Sequence, residues 1–367
     1  MIISNLKIRN FRNYGLCEVS FIEKINIFLG DNAQGKTNIL ESLYFLSSTK
    51  SFRDAFDKEM IKEGEKFSNV EINVLEENRK KTISSVLHTQ GKTFLLNKQP
   101  IVKMSEFIGE LNTVLFSPQD LDFFHTSPKT RRKFIDIELG KISKKYLYAL
   151  KSYNQFLKER NSSLKQKTLD ESYVDIVTEQ LIESQVKLLE ERKELIEILN
   201  KKINKFYFVL SETKQVILIK YLASIEEASR ENYIKKYRNN LEKDIFLGQT
   251  TLGVHRDDIE FYMDNRKATQ FASQGQKRMI ILALKLALCE YIFEKTKRNP
   301  VLLLDDVLSE LDNIRRKNLF KVIPDEIQTF ITTTDLDELD FLDDKETKTF
   351  IVKEGTIKLY KEDHNAR

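Results

Sequence analysis

The sequence contains the stretch Gly30-Asp31-Asn32-Ala33-Gln34-Gly35-Lys36-Thr37, which has the G-x-x-x-x-G-K-T pattern of a phosphate-binding loop, or P-loop. The apolar run at residues 25–29 predicts a buried strand before it, and residues 38–46 carry apolar side chains at helical spacing after it. In that context the backbone N–H groups of the loop and the positive end of the helix dipole cradle phosphate oxygens. Lys36 is predicted to reach the β- and γ-phosphates, and the Thr37 hydroxyl to ligate Mg²⁺.

The composition predicts a globular, charge-rich protein. The chain has 367 residues, of which 41% are hydrophobic and 32% charged, so it is long enough for two lobes. Two cysteines, Cys17 and Cys289, are too few for a disulfide scaffold and fit a reducing compartment. The first residues lack a signal-peptide pattern, and the most apolar stretch, residues 279–293, is interrupted by Lys285 and Glu290. We therefore expect a cytoplasmic protein with no membrane partner.

Two later motifs contain residues that suit nucleotide chemistry. Ser273-Gln274-Gly275-Gln276 precedes an apolar helix, so Ser273 is a good N-cap and the helix start suits a γ-phosphate, although a plain capped helix explains it equally well. Residues 301–304 predict a buried central strand that ends in Asp305 and Asp306. Asp305 is placed to hold Mg²⁺, and Asp306 to orient or deprotonate the attacking water.

The remaining pattern places strands on both sides of a helical region. Three strands are expected within residues 2–29, and short strands at 70–75, 82–88 and 93–96 predict a small antiparallel sheet. Apolar residues at three-, four- and seven-residue steps predict a long helix over 173–206. Further strands are expected at 114–116, 216–221 and 329–334, a final hairpin at 350–352 and 356–360, and a solvated acidic helix within 335–344.

Two isolated side chains are candidates for the same site. Arg12 lies in the turn between the first two strands, and it either belongs to a plain turn or lies beside the nucleotide. Gln119 follows a strand that ends at Ser117-Pro118, where helix is disfavoured. Gln119 is a candidate to approach Mg²⁺ or the attacking water, and a plain loop is an equally good interpretation.

Positive charge is concentrated in residues 129–167. This segment has twelve Lys and Arg against three Asp and Glu, a net charge of +9, so the rest of this +4 chain carries −5. Such a concentration suits a nucleic-acid backbone, whereas the alternative is a solvated helix face. Arg131 and Arg132 have a further alternative, which is to hold the lobes together. The DNA-contacting candidates are Lys129, Arg131, Arg132, Lys133, Lys141, Lys144 and Lys145.

The motif order of P-loop, Ser-x-Gly-Gln helix, Asp-Asp strand and Ser309-Glu310-Leu311-Asp312 is that of ABC-type ATPases. Within that class the sequence resembles the RecF family of bacterial DNA replication and repair proteins, from the first residues to about residue 334. The resemblance is carried by Ile8-Arg9-Asn10-Phe11-Arg12-Asn13-Tyr14, Gly35-Lys36-Thr37-Asn38-Ile39-Leu40-Glu41, Ser127-Pro128 with Arg131-Arg132-Lys133-Phe134-Ile135-Asp136, and Gly253 with His255-Arg256-Asp257-Asp258.

The resemblance implies an α/β fold, an ABC-ATPase head with a P-loop mixed sheet, an antiparallel β-subdomain and a second, mostly helical lobe without a long coiled coil. The predicted parts are residues 1–115 (P-loop and β-subdomain), 116–247 (helical lobe) and 248–367 (signature, Walker B strand and D-loop). The residues expected around ATP are Gly30, Asp31, Asn32, Ala33, Gln34, Gly35, Lys36, Thr37, Asn38 and Arg12, with Ser273, Gly275 and Gln276 contributed by the opposite protomer.

The resemblance also implies a function. It predicts a weak, DNA-stimulated ATPase that uses ATP and Mg²⁺, forms a homodimer with ATP, and binds duplex DNA or a single-strand/double-strand junction. Its implied partners are RecO and RecR, which it helps to load RecA at gaps. The sequence departs from the family at Val254 and Gln119, where proline and glutamate are usual. Residues 332–334 are threonines where transporters carry a switch histidine, which fits slow turnover.

Other classes stay open on the sequence alone. A transporter motor subunit is disfavoured because Thr37 and Ser273 are 236 positions apart, more than such motors usually have. A scaffold that binds ATP without hydrolysing it is disfavoured by the retention of Lys36, Asp305 and Asp306. A chromosome-organising ATPase with long arms is disfavoured because the inserted segment is too short for long coiled-coil arms.

Overall fold

The computed structural model describes residues 1–76, 79–226, 229–335, 339, 342 and 346–360. The strands, in chain order, are β1 (Ile2–Phe11), β2 (Tyr14–Ser20), β3 (Ile25–Leu29), β4 (Phe67–Glu76), β5 (Arg79–His88), β6 (Gly91–Leu96), β7 (Gln99–Pro100), β8 (Thr113–Phe116), β9 (Ile217–Leu222), β10 (Asp258–Met263), β11 (Arg266–Lys267), β12 (Val301–Asp305), β13 (Thr329–Thr333), β14 (Thr347–Lys353) and β15 (Thr356–Leu359). The α-helices are α1 (Lys36–Ser48), α2 (Met104–Phe107), α3 (Pro128–Ile142), α4 (Lys144–Ser163), α5 (Glu171–Ser211), α6 (Arg230–Asn239), α7 (Leu241–Leu247), α8 (Ala268–Phe271), α9 (Gln274–Thr296) and α10 (Asn313–Val322).

The chain forms two compact units. The first contains Met1–Asp120, Lys205–Thr213 and Ile281–Arg367, and the second contains Leu121–Asn204 and Lys214–Ile280. This division places residues 248–280 with the second unit, whereas the sequence-based division counts them with the ATPase core. The boundaries at 115 and 247 therefore stay a prediction.

A mixed six-stranded sheet forms the centre of the first unit, in the order β15-β14-β3-β13-β12-β8. β14, β3, β13, β12 and β8 run parallel, and only β15 pairs antiparallel, as the edge partner of β14. All five residues of β12 and of β13 are buried, as expected for strands covered on both faces. Because the strands are parallel, the carboxyl ends of β3, β13 and β12 lie side by side at one edge.

A second, antiparallel sheet packs into the same unit in the order β2-β1-β4-β5-β6-β7. Alternate residues of β4 are buried, which is the period-2 pattern of a strand with one face on a core. Its buried residues share a core with α1 and the central strands, including Phe45, Phe94 and Phe330. The predicted hairpin between the strands at 82–88 and 93–96 is confirmed as β5 paired with β6.

The second unit is mostly helical. The helix predicted over 173–206 is confirmed and extends to 41 residues, about 60 Å at 1.5 Å per residue. A three-stranded sheet, β11-β10-β9, accompanies it. The side-chain amides of Asn200 and Asn204 on α5 hydrogen-bond the backbone N–H and C=O of Ile219 and Ile217, respectively, at 2.7–2.9 Å. The helix therefore satisfies the edge of β9 that β10 leaves unpaired.

Most other strand predictions are confirmed, including β8 near 114–116 and the β14–β15 hairpin. Helix α6 was not predicted. The acidic helix predicted within 335–344 lies mostly outside the described residues. None of the helices in the described ranges combines the length and apolar character needed to cross a bilayer.

Candidate nucleotide-binding site

The P-loop connects β3 to α1 as predicted. Gly35, the residue before α1, has φ +113°, a conformation that a side chain would strain. A Cβ on Gly30 would lie 2.3 Å from the carbonyl oxygen of Val352, so the start of the loop also requires glycine. Both loop glycines therefore allow a backbone path that other residues could not follow.

Lys36 is buried at the base of this loop. Its ammonium group donates hydrogen bonds to the backbone carbonyls of Gly30 and Asp31. Burial lowers the pKa of Lys36, and the carboxylates of Asp306, Asp305 and Asp31 oppose that shift. Both acceptors belong to the P-loop, so the ammonium group of Lys36 already lies against the loop.

Thr37 and Asp305 meet although they are 268 positions apart in the sequence. The Thr37 hydroxyl donates to Asp305 Oδ1 at 2.9 Å, and the Thr332 hydroxyl donates to the same oxygen at 2.9 Å. Burial raises the pKa of Asp305, while these two hydrogen bonds and the nearby Arg53 charge act to lower it. A hydroxyl and a carboxylate side by side provide the hard oxygen ligands that Mg²⁺ prefers.

Asp306 is held in an unusual backbone conformation, with φ +51°. Its N–H donates to the Thr332 hydroxyl at 2.9 Å, which fixes the turn after β12. Within the described part of the chain, Asp306 Oδ1 is a buried oxygen without a hydrogen-bond partner. A buried oxygen of this kind is costly unless a ligand or a water molecule donates a hydrogen bond to it. Asp306 Oδ1 therefore marks a place where such a group can bind.

Lys36, Thr37 and Asp306 line one cleft beside the P-loop. Its lining residues are Asp31, Asn32, Ala33, Gly35, Lys36, Thr37, Asn38, Arg53, Asp306 and Thr332. Most of the residues predicted around ATP are therefore brought together. Gln34 is not among them, because its side chain accepts a hydrogen bond from the backbone N–H of Glu354 in the turn between β14 and β15.

Arg12 does not lie in the cleft. Its guanidinium donates to both carboxylate oxygens of Glu41 at 2.6 and 2.8 Å, and to the carbonyl oxygen of Glu59 at 2.8 Å. Glu41 on α1 engages the charge of Arg12, and contact of Arg12 with a nucleotide stays a prediction. The neighbouring residue Asn13 is nearer to the loop, since its amide donates to the Gln34 carbonyl at 3.0 Å.

The sequence reasoning missed Arg53. Residues 47–65 contain few periodic apolar residues and predicted only a loop, yet Arg53 Nη1 donates to Asn38 Oδ1 at 2.9 Å and lines the cleft. An arginine placed shortly after a P-loop helix is the signal that was available.

The Ser273 motif has the geometry of a capped helix start. Gln276 N donates to the Ser273 hydroxyl at 3.2 Å, and Ser273 N donates to Gln276 Oε1 at 2.8 Å. This reciprocal pair is a capping box, so the predicted N-cap is confirmed. Ser273, Gly275 and Gln276 belong to the second compact unit. Their contact with a nucleotide across a dimer stays a prediction.

Gln119 follows β8 in a short 3-10 helix, Pro118–Phe124. Its side chain is exposed and is not among the residues that line the cleft. The neighbouring Asp120 accepts a hydrogen bond from the Ser117 N–H at 2.7 Å and pairs with Lys285 at 2.8 Å. The role of Gln119 near the metal therefore stays a prediction without support from a contact.

The basic segment separates into internal and exposed groups. Arg131 pairs with Asp258 at 2.7 Å, and Lys141 is buried and pairs with Glu138 at 2.8 Å, so their assignment to DNA is corrected. Arg132 donates to the Asp257 carbonyl at 2.6 Å. These contacts of Arg131 and Arg132 stay within the second unit, although they connect the predicted lobe 116–247 to the predicted segment 248–367. The side chains of Lys129, Lys144 and Lys145 are exposed, and Lys133 is half-buried.

A preformed metal cage is not seen among the described residues, since none of their His, Cys, Asp and Glu side chains form a group of three or more suited to a metal.

Comparison with known proteins gives consistent relatives. The family model described as the RecF/RecN/SMC N terminal domain matches residues 2–358. The DNA replication and repair protein RecF of Bacillus cytotoxicus is 37% identical over 366 residues, covering 97% of this chain and 98% of that protein. RecF of Bacillus cereus is 38% identical over 368 residues, with the same coverage of both chains.

Solved structures agree with these matches. The recombination mediator protein RecF in the RecFOR pathway, solved with ATP and with ATPrS, aligns with a TM-score of 0.89 and 31% identity over 98% of both chains. The Smc head domain from Pyrococcus furiosus aligns with a TM-score of 0.59 and 17% identity, a likeness of fold alone. The predicted ABC-ATPase head fold is therefore confirmed, and this chain belongs to the RecF family of DNA replication and repair proteins, within the SMC-type ABC ATPases.

Proposed function

We propose that the protein binds ATP and Mg²⁺ in the P-loop cleft and hydrolyses ATP slowly to control its hold on DNA. The observation that carries the proposal is the meeting of Thr37 with Asp305, beside the open carboxylate oxygen of Asp306. These three groups come from two distant sequence segments and lie at the edge where β3 and β12 end. The ATP-bound RecF structures support the same choice of nucleotide.

Each residue has a defined task in this proposal. Lys36 and the loop N–H groups bind the phosphate chain, and the side chains of Thr37 and Asp305 hold Mg²⁺. Bound Mg²⁺ would neutralise charge that develops on the phosphate oxygens. Asp306 orients the attacking water and accepts its proton, for which its left-handed turn and partnerless oxygen leave it positioned.

The proposed clamp consists of two copies of the chain. In it, ATP in the cleft of one protomer is contacted by Ser273, Gly275 and Gln276 of the other, because the start of α9 offers the Ser273 hydroxyl and the positive end of the helix dipole to a γ-phosphate. Hydrolysis would remove the shared phosphate and release the pair. DNA stimulation of this slow hydrolysis is part of the proposal.

The biological task follows from family membership. RecF of the RecFOR pathway is a recombination mediator. By analogy, we assign to this chain a role with RecO and RecR in loading RecA at gaps, on duplex DNA or at a junction between single and double strands. A cytoplasmic location belongs to the same proposal, and the two cysteines, buried and outside any disulfide, are consistent with a reducing compartment.

The decisive experiment measures molar mass in solution without nucleotide, with ATP, and with ATP plus duplex DNA. We expect a monomer that becomes a dimer only with ATP and then holds DNA. Lys36→Ala should stay monomeric and lose ATP binding, because the phosphates lose their buried cation. Lys7→Ala, which removes a lysine from an exposed ion pair with Glu18, is the matched control.

Two results would overturn parts of the proposal. A Lys36→Ala protein that still dimerises fully on ATP would remove the cleft from the mechanism. A wild-type protein that binds ATP but stays monomeric under all three conditions would leave Ser273 without a target and would favour an ATP-binding scaffold.

A further inference from the structure

Glu41 is a fully buried carboxylate on α1, four residues beyond Thr37. It contacts two arginines from different loops. Arg12 donates to both of its oxygens, and Arg53 Nη1 lies 3.8 Å from Oε2. The Ser51 hydroxyl also donates to Oε1. A buried carboxylate is costly unless it is paired and hydrogen-bonded, and this cluster provides both kinds of contact to Glu41.

The two arginines are held with different strength. The Arg12 side chain is 17% exposed and makes a two-point pair with Glu41, a geometry that fixes its guanidinium. The Arg53 side chain is 36% exposed and lies beyond hydrogen-bond distance of Glu41, while it donates to Asn38 Oδ1 at 2.9 Å. The loosely held arginine is the one that lines the nucleotide cleft.

Arg53 lines the same cleft as residues proposed to hold Mg²⁺ and to activate the attacking water. It shares the lining with Lys36, Thr37 and Asp306. A guanidinium there can form two parallel hydrogen bonds to phosphate oxygens.

We propose that Glu41 is a positioning residue for ATP binding. It holds Arg53 over the cleft by a long-range charge contact that the nucleotide phosphates can replace, while Arg12 fixes the orientation of Glu41. This inference rests on the proposed binding of ATP in the same cleft. Arg12 then acts on the nucleotide only through Glu41 and Arg53.

The consequence of removing the charge is specific. In Glu41→Gln the shape is kept, but Arg12 and Arg53 lose the anion between them, and their like charges repel. Arg53 should then leave its position over the cleft. Because Arg53 lines the cleft together with Thr37 and Asp306, we expect ATP affinity to fall more than ADP affinity, a difference that a general loss of stability would not produce.

The experiment measures Kd for fluorescent ATP and ADP analogues, with Mg²⁺, on wild type, Glu41→Gln, Arg53→Gln and the double variant. Each single change should weaken ATP binding roughly tenfold or more and ADP binding less, as expected for losing one charge-assisted hydrogen bond. The double variant should bind no worse than the weaker single variant, because both changes remove the same contact. Glu18→Gln and Arg298→Gln are matched controls, each from an ion pair elsewhere in the first unit, and Arg298 is 41% exposed.

Several outcomes would overturn the inference. Additive losses in the double variant, or equal losses for ATP and ADP, would make Glu41 a structural residue only. Should Glu41→Gln fail to fold, Arg53→Gln still decides, because an unchanged ATP affinity in that variant contradicts the role of Arg53. A wild-type protein that binds no ATP would refute the proposed function itself, whereas wild-type binding with unaffected variants would refute this inference alone.

Discussion

The nucleotide cleft and the buried polar network of the helical unit use the same residue types with opposite results. In the helical unit Arg160 is 1% exposed and donates to Asp244 and Thr250 at 2.7 Å and to Thr178 at 2.9 Å. In the cleft, Asp306 Oδ1 is buried without a partner among the described residues. Charges that are buried and fully paired hold the fold together, whereas a buried group left open marks a place for a ligand.

The largest expected effect concerns Asp306, the buried cleft group that lacks a hydrogen-bond partner at Oδ1. Asp306→Asn should lower ATP turnover roughly 10²–10⁴-fold, because it removes the proposed general base and keeps the shape. Asparagine tolerates the left-handed backbone at this position as aspartate does, so the turn should persist. Single-turnover hydrolysis and ATP affinity, measured on the same preparation, separate chemistry from binding.

ATP affinity in Asp306→Asn should be close to that of wild type. The melting temperature should be unchanged or higher, because one of two adjacent carboxylates, Asp305 and Asp306, loses its charge. Wild-type turnover in this variant would place the base elsewhere and would make the open oxygen of Asp306 a feature of the fold.

The next largest effect concerns the buried ion pair between Arg160 and Asp244 in the helical unit. Arg160→Met should destabilise the protein by about 3–5 kcal/mol, because it leaves Asp244 buried with less compensation. Arg230→Met is the control, since Arg230 and its partner Glu179 are 62% and 53% exposed and such surface pairs contribute about 0–1 kcal/mol. Urea unfolding gives both values. Equal losses in the two variants would contradict the distinction between a paired core charge and a surface pair.

A smaller effect concerns His255, whose neutral form is fixed by two contacts. The Thr250 carbonyl can only accept, so His255 Nε2 donates to it at 3.0 Å and Nδ1 accepts from the Tyr153 hydroxyl at 2.6 Å. Burial lowers the pKa of His255 to about 4; the Thr250 hydrogen bond opposes this shift, and the charges of Arg256 and Arg132 add to it. The folded protein therefore disfavours a proton that the unfolded chain binds near pH 6.5.

The stability that the neutral His255 contributes is complete above about pH 6.5 and is lost as the pH falls toward 4. Between pH 7.5 and 5 this loss is on the order of 2 kcal/mol. His255→Gln cannot titrate, so its free energy of unfolding should change less than that of wild type between pH 7.5 and 5, measured by urea unfolding. His125→Gln, at an exposed position, is the control. An identical pH dependence in wild type and His255→Gln would assign the acid sensitivity to other groups.

The sequence predicted the parts of the site that follow from local pattern. The P-loop could be recognised because glycine spacing, a strand and a helix are contiguous, and Asp305-Asp306 because four apolar residues precede it. Arg12, Glu41 and Arg53 could not be assigned, because their pairing depends on how three separate segments pack. The contact of Gln34 with the β14–β15 turn, 320 positions away, depends on the same long-range packing.

The net charge of the basic segment was a poor guide to its exposed positive charge, for a related reason. Residues 129–167 carry a net charge of +9, yet Arg131, Lys141 and Arg160 satisfy internal carboxylates, so the segment offers fewer free cations than its composition indicates. Sequence alone does not separate a lysine in solvent from one in a core ion pair, because both occur on amphipathic helices.

The smallest expected effect sharpens this distinction among the basic residues. Lys144 and Lys145 are exposed at the start of α4, and the nearest acidic partner of Lys145, Glu191, is 3.9 Å away. Replacing both with glutamate should weaken binding to duplex DNA in the presence of ATP and lower the slope of log Kd against log salt by about two, one for each lost phosphate contact. Lys187→Glu and Lys201→Glu together are the control, because both lysines lie on α5 in exposed pairs with glutamates one turn away.

If the two double variants lose affinity equally, the effect reports net charge, and the start of α4 is not a DNA-contacting surface. If only the change at Lys144 and Lys145 flattens the slope, the exposed remainder of the basic segment contacts DNA, while its buried members maintain the fold that presents it.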